Sequence, residues 1–460
     1  MQAGSSGGEQ QVYFSDNAPT WEQLAEMVKA QQSQLGVNFS ADPEQADTNP
    51  TALKRTFGQT GPIRVKFYRD HAAWCPYCQK VWLQLEEKRI PYIMEKVNMR
   101  CYGDKTPAFL KKVPSGLLPV IDLDGRIVTE STVIMQLLED TFPEHTPLMP
   151  LRGSPQRQRA EVLLRLERRL FSDWMGWLTS DWNPVRARQA LEATIDVVEQ
   201  ELLAAGGPFF LGENLSLVDI TFTSILERTA ASLAYYKGFP LRGTGRWPAL
   251  ERWFNALEAR PTYLGTRSDY YTHAHDLPPQ LGGCAMSEQG VPVAAAIDGT
   301  NGQHWRLPLA PLSATSQPEP YSPGEWPASD RLEAAARLVN NHAGITRFAC
   351  RGPGKPGPRP VSAPLADPTA IPDLSALPAT DAALRHVAHM LLVGVEAKAV
   401  STHALQVSSS KSTGAHPADA VIAGAEYLRD RVGVPRDMKF PAARQLRAHL
   451  NEFMAVLSPA

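Results

Sequence analysis

Two cysteines held apart by a proline and a tyrosine, Cys75-Pro76-Tyr77-Cys78, carry the clearest chemistry in this 460-residue chain. A sulfur at the start of a helix faces unpaired N–H groups and the positive end of the helix dipole, so its thiolate is favoured, and the thiolate is the nucleophilic form. Pro76 falls at the first helical position, where its fixed φ suits the helix and its missing donor costs little. Cys78 then lies one turn in, close enough to reach Cys75, so the first sulfur attacks and the second can resolve. Two other readings are weighed against this one. A lone pair of this spacing is half a zinc site, but no second Cys/His pair at zinc spacing follows nearby; a purely structural pair is the other alternative. Redox or thiol chemistry without a metal is the expectation.

Other residues qualify on type alone. His71 and Arg69 precede Cys75 closely enough to lower its pKa, although a solvated strand-end histidine is the plainer reading. Tyr270, Tyr271, His273 and His275 are read equally as a cap over a second-substrate pocket or as a packed linker. His386 and His389 stand at i, i+3, where a satisfied or exposed pair outweighs a metal site. Cys101 reads as an inert half-buried thiol rather than a redox partner. Trp174, Trp177 and Trp182 are read as core packing before a substrate cleft.

The elements that must position the dithiol follow from periodicity. Ile63 to Tyr68 alternates as a half-buried strand and feeds a helix over Cys78 to Lys88. Tyr92 to Val97 reads as a second strand, Pro107 to Lys112 as a short helix and Leu117 to Leu123 as a third strand. Asp124-Gly125 is a hairpin turn into Arg126 to Val128, and Ser131 to Thr141 is a helix. From Ser154 to Arg260 the pattern changes to long helices, among them Gln156 to Leu178 and Pro184 to Leu203, and Ser216-Leu217-Val218-Asp219 is a capping box that opens another. An amphipathic helix is predicted at Thr20 to Gln34 in an otherwise polar arm. Four more are predicted late in the chain: Ser329 to Asn341, Asp381 to Ala397, Ala418 to Val432 and Pro435 to Leu457. Proline-rich stretches separate these.

Composition narrows the function classes. Forty-six Lys+Arg against 48 Asp+Glu leave a net charge of −2, too little positive field to attract nucleic acid or anionic lipid. The best apolar run, Val387 to Val400, is broken by His389, Glu396 and Lys398, so no membrane span is expected. The first fifty residues hold seven acids and one base, the reverse of a transit peptide. Five cysteines, an odd and sparse set, point to a reducing compartment.

Cys-Pro-Tyr-Cys, then Leu117-Leu118-Pro119-Val120, then Thr129-Glu130-Ser131-Thr132 after a hairpin, in the order strand, helix, strand, helix, strand, strand, helix, resembles the thioredoxin-like N-terminal domain of glutathione transferases. The helical block with its Ser-Leu-Val-Asp box resembles the all-α C-terminal domain of the same superfamily, and together they span about Ile63 to Gly265. The cysteine at the active position marks the cysteine-containing classes, where the commonest detoxifying classes use Tyr or Ser. The long arm, the C-terminal extension and the segment Ser268-Asp269-Tyr270-Tyr271-Thr272-His273 are most similar to the iota class of photosynthetic organisms, which usually has Trp where Tyr77 stands; Tyr is the glutaredoxin-like choice.

The resemblance implies a multidomain chain: an arm over 1–61, an α/β thioredoxin-like glutathione-binding domain over 62–145, an all-α domain over 152–265, a Pro-rich linker over 266–328, and a mainly helical extension over 329–460 with a Pro-rich insert at 350–378. It implies that Cys75 forms a mixed disulfide with glutathione, the cosubstrate. Leu118 would pair its backbone with the cysteinyl unit, presented by a cis Pro119, and Glu130 and Ser131 would hold the γ-glutamyl end, where a helix N-terminus attracts a carboxylate. Lys105 matches the lysine that contacts the glycyl carboxylate in the related omega class. The implied activity is a glutathione-dependent thiol transferase or reductase acting on a small disulfide, a glutathionylated substrate or an oxidised acceptor such as dehydroascorbate. Conjugation of glutathione to electrophiles, or a non-catalytic ligand-binding module, are the alternatives. A cytoplasmic or plastid-stroma location is expected, and a homodimer is left open.

Overall fold

The computed structural model describes residues 11–39, 44, 47–321, 327–358, 364–394 and 405–458. A short strand β1 (Tyr13–Ser15) precedes helix α1 (Trp21–Leu35), whose start is a capping box in which Thr20 and Gln23 satisfy each other's backbone N–H groups. The short strand β2 (Lys54–Arg55) leads into β3 (Val65–Asp70), α2 (Pro76–Lys88), β4 (Tyr92–Val97), α3 (Pro107–Lys112), β5 (Val120–Leu123), β6 (Arg126–Thr129) and α4 (Ser131–Thr141). The five strands lie in the order β2-β4-β3-β5-β6, with β3 and β4 parallel and the other neighbours antiparallel. Because β3 is parallel to β4, a crossover must join them, and α2 is that crossover. Along β3, Val65 and Phe67 point into the core shared with α2, while Tyr68 points the other way against Phe109 of α3. Both faces are therefore covered.

Two boundaries and one added strand differ from the sequence expectation for local reasons. The helix starts at Pro76 rather than Cys78 because proline suits the first turn. The strand expected from Leu117 starts at Val120, since Pro119 has no N–H to give a ladder. Strand β2, two residues long, is too short to show an alternation.

The helical layer comprises α5 (Pro155–Leu178), α6 (Pro184–Ala205), α7 (Leu217–Lys237), α8 (Pro248–Glu258) and α9 (Pro261–Leu264). The Ser216–Asp219 capping box is formed, and Asp219 also accepts from the Phe210 N–H and the Trp253 indole. Helix α7 is buried along its whole length, its charged residues Asp219, Glu227 and Arg228 included. It packs against α2 and α5, and on its remaining side against α10 (Tyr270–Leu281) and α11 (Gly290–Ile297). These two helices stand where a Pro-rich linker is expected over 266–328. Asp269 caps α10, and Pro278 and Pro279 fall near its C-terminal end, so the prolines do not prevent it.

The two ends of the chain build one further unit. Helices α12 (Pro327–Asn340), α13 (His342–Ala349) and α14 (Leu377–Val393), strands β7 (Val407–Ser408) and β8 (Ala415–Pro417), and helices α15 (Asp419–Arg429) and α16 (Phe440–Leu457) follow. Strand β1 lies between β7 and β8, and α1 packs on α12 and α14 around Phe14, Leu24, Val28, Val387 and Phe453. Residues 1–10 of the arm, 359–363 of the expected insert and 395–400, which hold the end of the expected Asp381 to Ala397 helix, lie outside the described residues. No described helix is long and apolar enough to cross a membrane.

Candidate functional site

Cys75 is the N-cap of α2, half-buried, with no side chain capping the first-turn N–H groups. Cys78, one turn on, is buried, and both thiols are free. The two sulfurs and a carboxylate oxygen of Asp70 all lie within 4.8 Å of one another. Burial, together with a hydrogen bond to the Cys75 sulfur, pushes the Cys78 thiol well up. Cys78 therefore stays protonated and donates to Cys75. Two sulfurs and a carboxylate could also hold a soft divalent ion, but no fourth His, Cys, Asp or Glu joins them among the described residues, as a closed tetrahedral zinc site would require.

The loop before α2 is held from two sides. Asp70, at the end of β3, accepts the Trp74 N–H at 2.7 Å, and Ala73 between them takes a left-handed φ of 57°. From the helical layer, the buried Arg228 of α7 donates to the Trp74 carbonyl, to Gln79 Oε1 and to the Ser224 carbonyl, both of the latter at 2.7 Å, and stacks over the Trp74 ring. The Trp74 indole donates to His273 Nδ1 at 2.9 Å, and His273 Nε2 lies 2.8 Å from Glu227. Burial pushes His273 down, so the ring is neutral, and with Nδ1 accepting, its proton is assigned to Nε2. Burial alone would raise Glu227, but the His273 bond, the Arg228 charge and the Ser268 N–H bring it down to about 2. Gln79 closes the ring by donating to Glu227 at 3.0 Å. Each donor in this buried network has an acceptor, except the Arg228 Nε.

A cleft of about 840 Å³ is lined by Tyr77 and Lys80 of α2, the helix that Cys75 caps, although neither cysteine is itself on its wall. One wall carries Leu118, Pro119, Glu130 and Ser131, and the facing wall carries Leu164, Glu167 and Phe171 of α5 with Thr221 and Ile225 of α7. Tyr77 and Lys80 of α2 line the cleft between them. The Leu118–Pro119 bond is cis and Ser131 opens α4, both as expected. Glu130 holds a φ of 66°, an uncommon conformation for a non-glycine residue that turns the chain from β6 into α4 at the cleft. Lys105 is half-buried with its stem beside Gly116, within electrostatic reach of Cys75, but it is not on the cleft wall. Leu118, Pro119, Glu130 and Ser131 thus share the cleft with Tyr77 of α2, and Lys105 stands off its wall.

Several other candidates serve the packing. Arg69 is buried, stacks on Trp82 and gives its donors to the Pro50 and Asp70 carbonyls and the Met94 sulfur. Burial and the Arg436 charge press His71 down to about 4, so it is a neutral ring lying edge-on to Tyr102. Neither supplies a cation to Cys75; the charges that interact with it are those of Arg228, Lys80 and Lys105. Burial pushes Cys101 up to about 12, where it is inert. Tyr271 bonds the Asp430 carbonyl and His275 bonds Asp298, on the side away from the cleft. His386 bonds the Ser15 carbonyl inside the second core, and Trp174 and Trp177 are core residues, whereas Trp182 is exposed. Asp70, Gln79, Lys80, Glu167, Glu227 and Arg228 were missed. The adjacent charges Glu227 and Arg228, inside the apolar run from Ile220 to Leu233, were the available signal.

The depressed His71 has a measurable consequence. Its folded pKa lies below its ordinary value, so between about 6.5 and about 4 the unfolded chain binds a proton that the folded chain refuses, and stability falls as pH falls through that window. His71→Asn is expected to flatten the wild-type slope of urea stability between pH 6.5 and 4; an identical slope in the variant would refute the assignment.

The description "Glutathione S-transferase, N-terminal domain" matches residues 74–141, and "Glutathione S-transferase, C-terminal domain" matches residues 157–256. Glutathione S-transferase DHAR2 of Arabidopsis thaliana is 28% identical over 194 residues, 42% of this chain and 84% of the relative. Glutathione S-transferase DHAR3, chloroplastic, of the same plant is 29% identical over 195 residues, 42% of this chain and 69% of the relative. The probable glutathione S-transferase DHAR1, cytosolic, of Oryza sativa subsp. japonica is 30% identical over 168 residues, 36% of this chain and 72% of the relative. The matched segments include both walls of the cleft and the dithiol, and on this footing the chain belongs to the glutathione S-transferase family.

Proposed function

We propose that this protein is a glutathione-dependent thiol transferase or reductase in which Cys75 forms a mixed disulfide with glutathione. The observation that carries the reading is the half-buried Cys75 sulfur at an uncapped helix N-terminus, two residues from Tyr77 on the cleft wall. The Cys75 thiolate attacks a disulfide, a glutathionylated substrate or an oxidised acceptor, and incoming glutathione regenerates it. The Leu118 backbone pairs with the cysteinyl unit, Glu130 and Ser131 hold the γ-glutamyl end, and Lys105 reaches the glycyl carboxylate. The N-terminus of α4 at Ser131 supports the carboxylate assignment. The similarity to plant glutathione S-transferases supports glutathione chemistry, and a cysteine at this position disfavours simple conjugation, since it traps glutathione covalently. The buried, protonated Cys78 supports a route in which glutathione rather than Cys78 resolves the intermediate.

Mass spectrometry after treatment with oxidised glutathione tests this. One glutathione on Cys75 is the expected product, in the wild type and in Cys78→Ser. A Cys75–Cys78 bridge in the wild type would keep Cys75 as the attacking sulfur and replace the monothiol route by a dithiol one, while a Cys75 that stays unmodified would overturn the reading.

A further inference from the structure

Lys80 and Glu167 are 6% and 8% exposed, on α2 and α5 respectively, and both line the cleft. Neither makes a hydrogen bond or an ion pair among the described residues, although such buried charges are ordinarily paired. The Lys80 ammonium lies over the Tyr77 ring, 5.2 Å from its centre. Glu167 shares the cleft wall with the apolar Leu164 and Phe171. Two ionisable groups kept in one cleft without a hydrogen bond or an ion pair, on separate helices, lack the shape of a structural salt bridge. They are available to something that enters.

We infer that Lys80 and Glu167 form a proton-handling pair at the acceptor end of the cleft, with Lys80 giving a proton to the sulfur that departs when a glutathionylated disulfide is cleaved. The inference rests on the Cys75 reading above. In the step, Cys75 Sγ forms a bond to the glutathionyl sulfur, the bond from that sulfur to the acceptor breaks, and the acceptor sulfur leaves with the proton of Lys80 Nζ. A second glutathione then gives its thiol proton to the neutral lysine, attacks the glutathionyl sulfur on Cys75, and leaves as oxidised glutathione. The acceptor sulfur goes from disulfide to thiol and the second glutathione goes from thiol to disulfide, while the transferred glutathionyl unit stays at the disulfide level, so the cycle closes with Cys75 and Lys80 restored.

The electrostatics agree with the geometry. Burial pushes Lys80 down, with Glu167 and Cys75 acting in the opposite direction, and burial pushes Glu167 up. A lysine so placed gives up its proton more readily than one in water, and Glu167 keeps it from losing its charge outright.

Proton delivery is distinguished from structural support by how the rate depends on the leaving group, since a poor leaving thiol needs the proton and a good one does not. Kinetics would be measured with two glutathione mixed disulfides, one releasing 2-mercaptoethanol and one releasing 5-thio-2-nitrobenzoate. For Lys80→Met, the loss of kcat/KM with the first is expected to exceed the loss with the second by about tenfold or more, within the range general acids contribute. Lys80→Arg, which keeps the charge but is a poor acid, is expected to show the same bias, and Glu167→Gln a weaker one. Equal losses with both substrates, no loss, or full rescue by arginine would overturn the inference. If the wild type turns over both disulfides through a Cys75 adduct in those cases, the reading of Cys75 stands and only the role of Lys80 falls.

Discussion

Cys75→Ser is expected to lower kcat/KM for glutathione-dependent disulfide reduction by more than about a thousandfold, the scale seen when a nucleophile that acts through a covalent intermediate is removed. A serine hydroxyl is not ionised near neutrality and cannot form a disulfide. The neighbouring sulfur is no substitute, because Cys78 is buried and its thiol is pushed up by that burial and by its bond to Cys75. Cys78→Ser should cost much less, about tenfold at most, since a hydroxyl there can still donate to the attacking sulfur. The two variants together separate the competing activities. A hydroxyl at position 75 can donate to the sulfur of bound glutathione without trapping it, so Cys75→Ser is expected to gain conjugation of an electrophile such as chlorodinitrobenzene while it loses reduction. A reductase rate unchanged in Cys75→Ser would refute the covalent route, and a conjugation rate already high in the wild type would favour the transferase alternative.

The extent to which this site could be read from the chain depends on how local its determinants are. Pro76, Thr106 and Ser131 act within a turn, so α2, α3 and α4 were predicted to within two residues. The dithiol, the Leu118-Pro119 pair and the Glu130-Ser131 turn are likewise contiguous, and each could be placed by its neighbours in sequence. The support behind Cys75 is of another kind. Trp74 meets His273, Gln79 meets Glu227 and Arg228, and Lys80 shares a cleft with Glu167 across sequence separations that no periodicity encodes. Arg69 and His71, chosen for closeness in sequence to Cys75, turned out to face Trp82 and Tyr102, because successive strand and loop residues point to different sides. Helix α10 was obscured by its own prolines. The pairing of β1 with β7 and β8 joins residues almost 400 positions apart, and strands of two or three residues leave no alternating pattern to read.

Because α10 lies outside both matched domains, the buried network ties the active-site loop to a part of the chain that the family models do not cover. It is also where a single substitution should cost most stability. Glu227→Leu takes from the Arg228 guanidinium the counter-charge of Glu227, leaves the Ser268 N–H and His273 Nε2 without an acceptor, and leaves the Gln79 amide only its longer bond to the Thr266 carbonyl, all in a site closed to water. Breaking a buried pair from one side costs about 3 to 5 kcal/mol. Glu227→Gln keeps an oxygen for two of these donors and should cost about half as much. The penalty must depend on pH with a definite sign. Glu227 is held at about 2, below its ordinary value of 4.5, so its contribution is full above about 4.5 and is lost as pH falls toward 2; Glu227→Leu should lack that acid limb. Function should follow stability, since His273, the acceptor of the Trp74 indole, loses the carboxylate that orients it and the loop bearing Cys75 loosens, slowing glutathione adduct formation even under conditions where the variant is fully folded. Urea unfolding gives the first quantity and the rate of adduct formation gives the second. A Glu227→Leu protein with a wild-type unfolding midpoint and a wild-type adduct rate would mean that α7 and α10 merely lie beside the active-site loop and do not hold it.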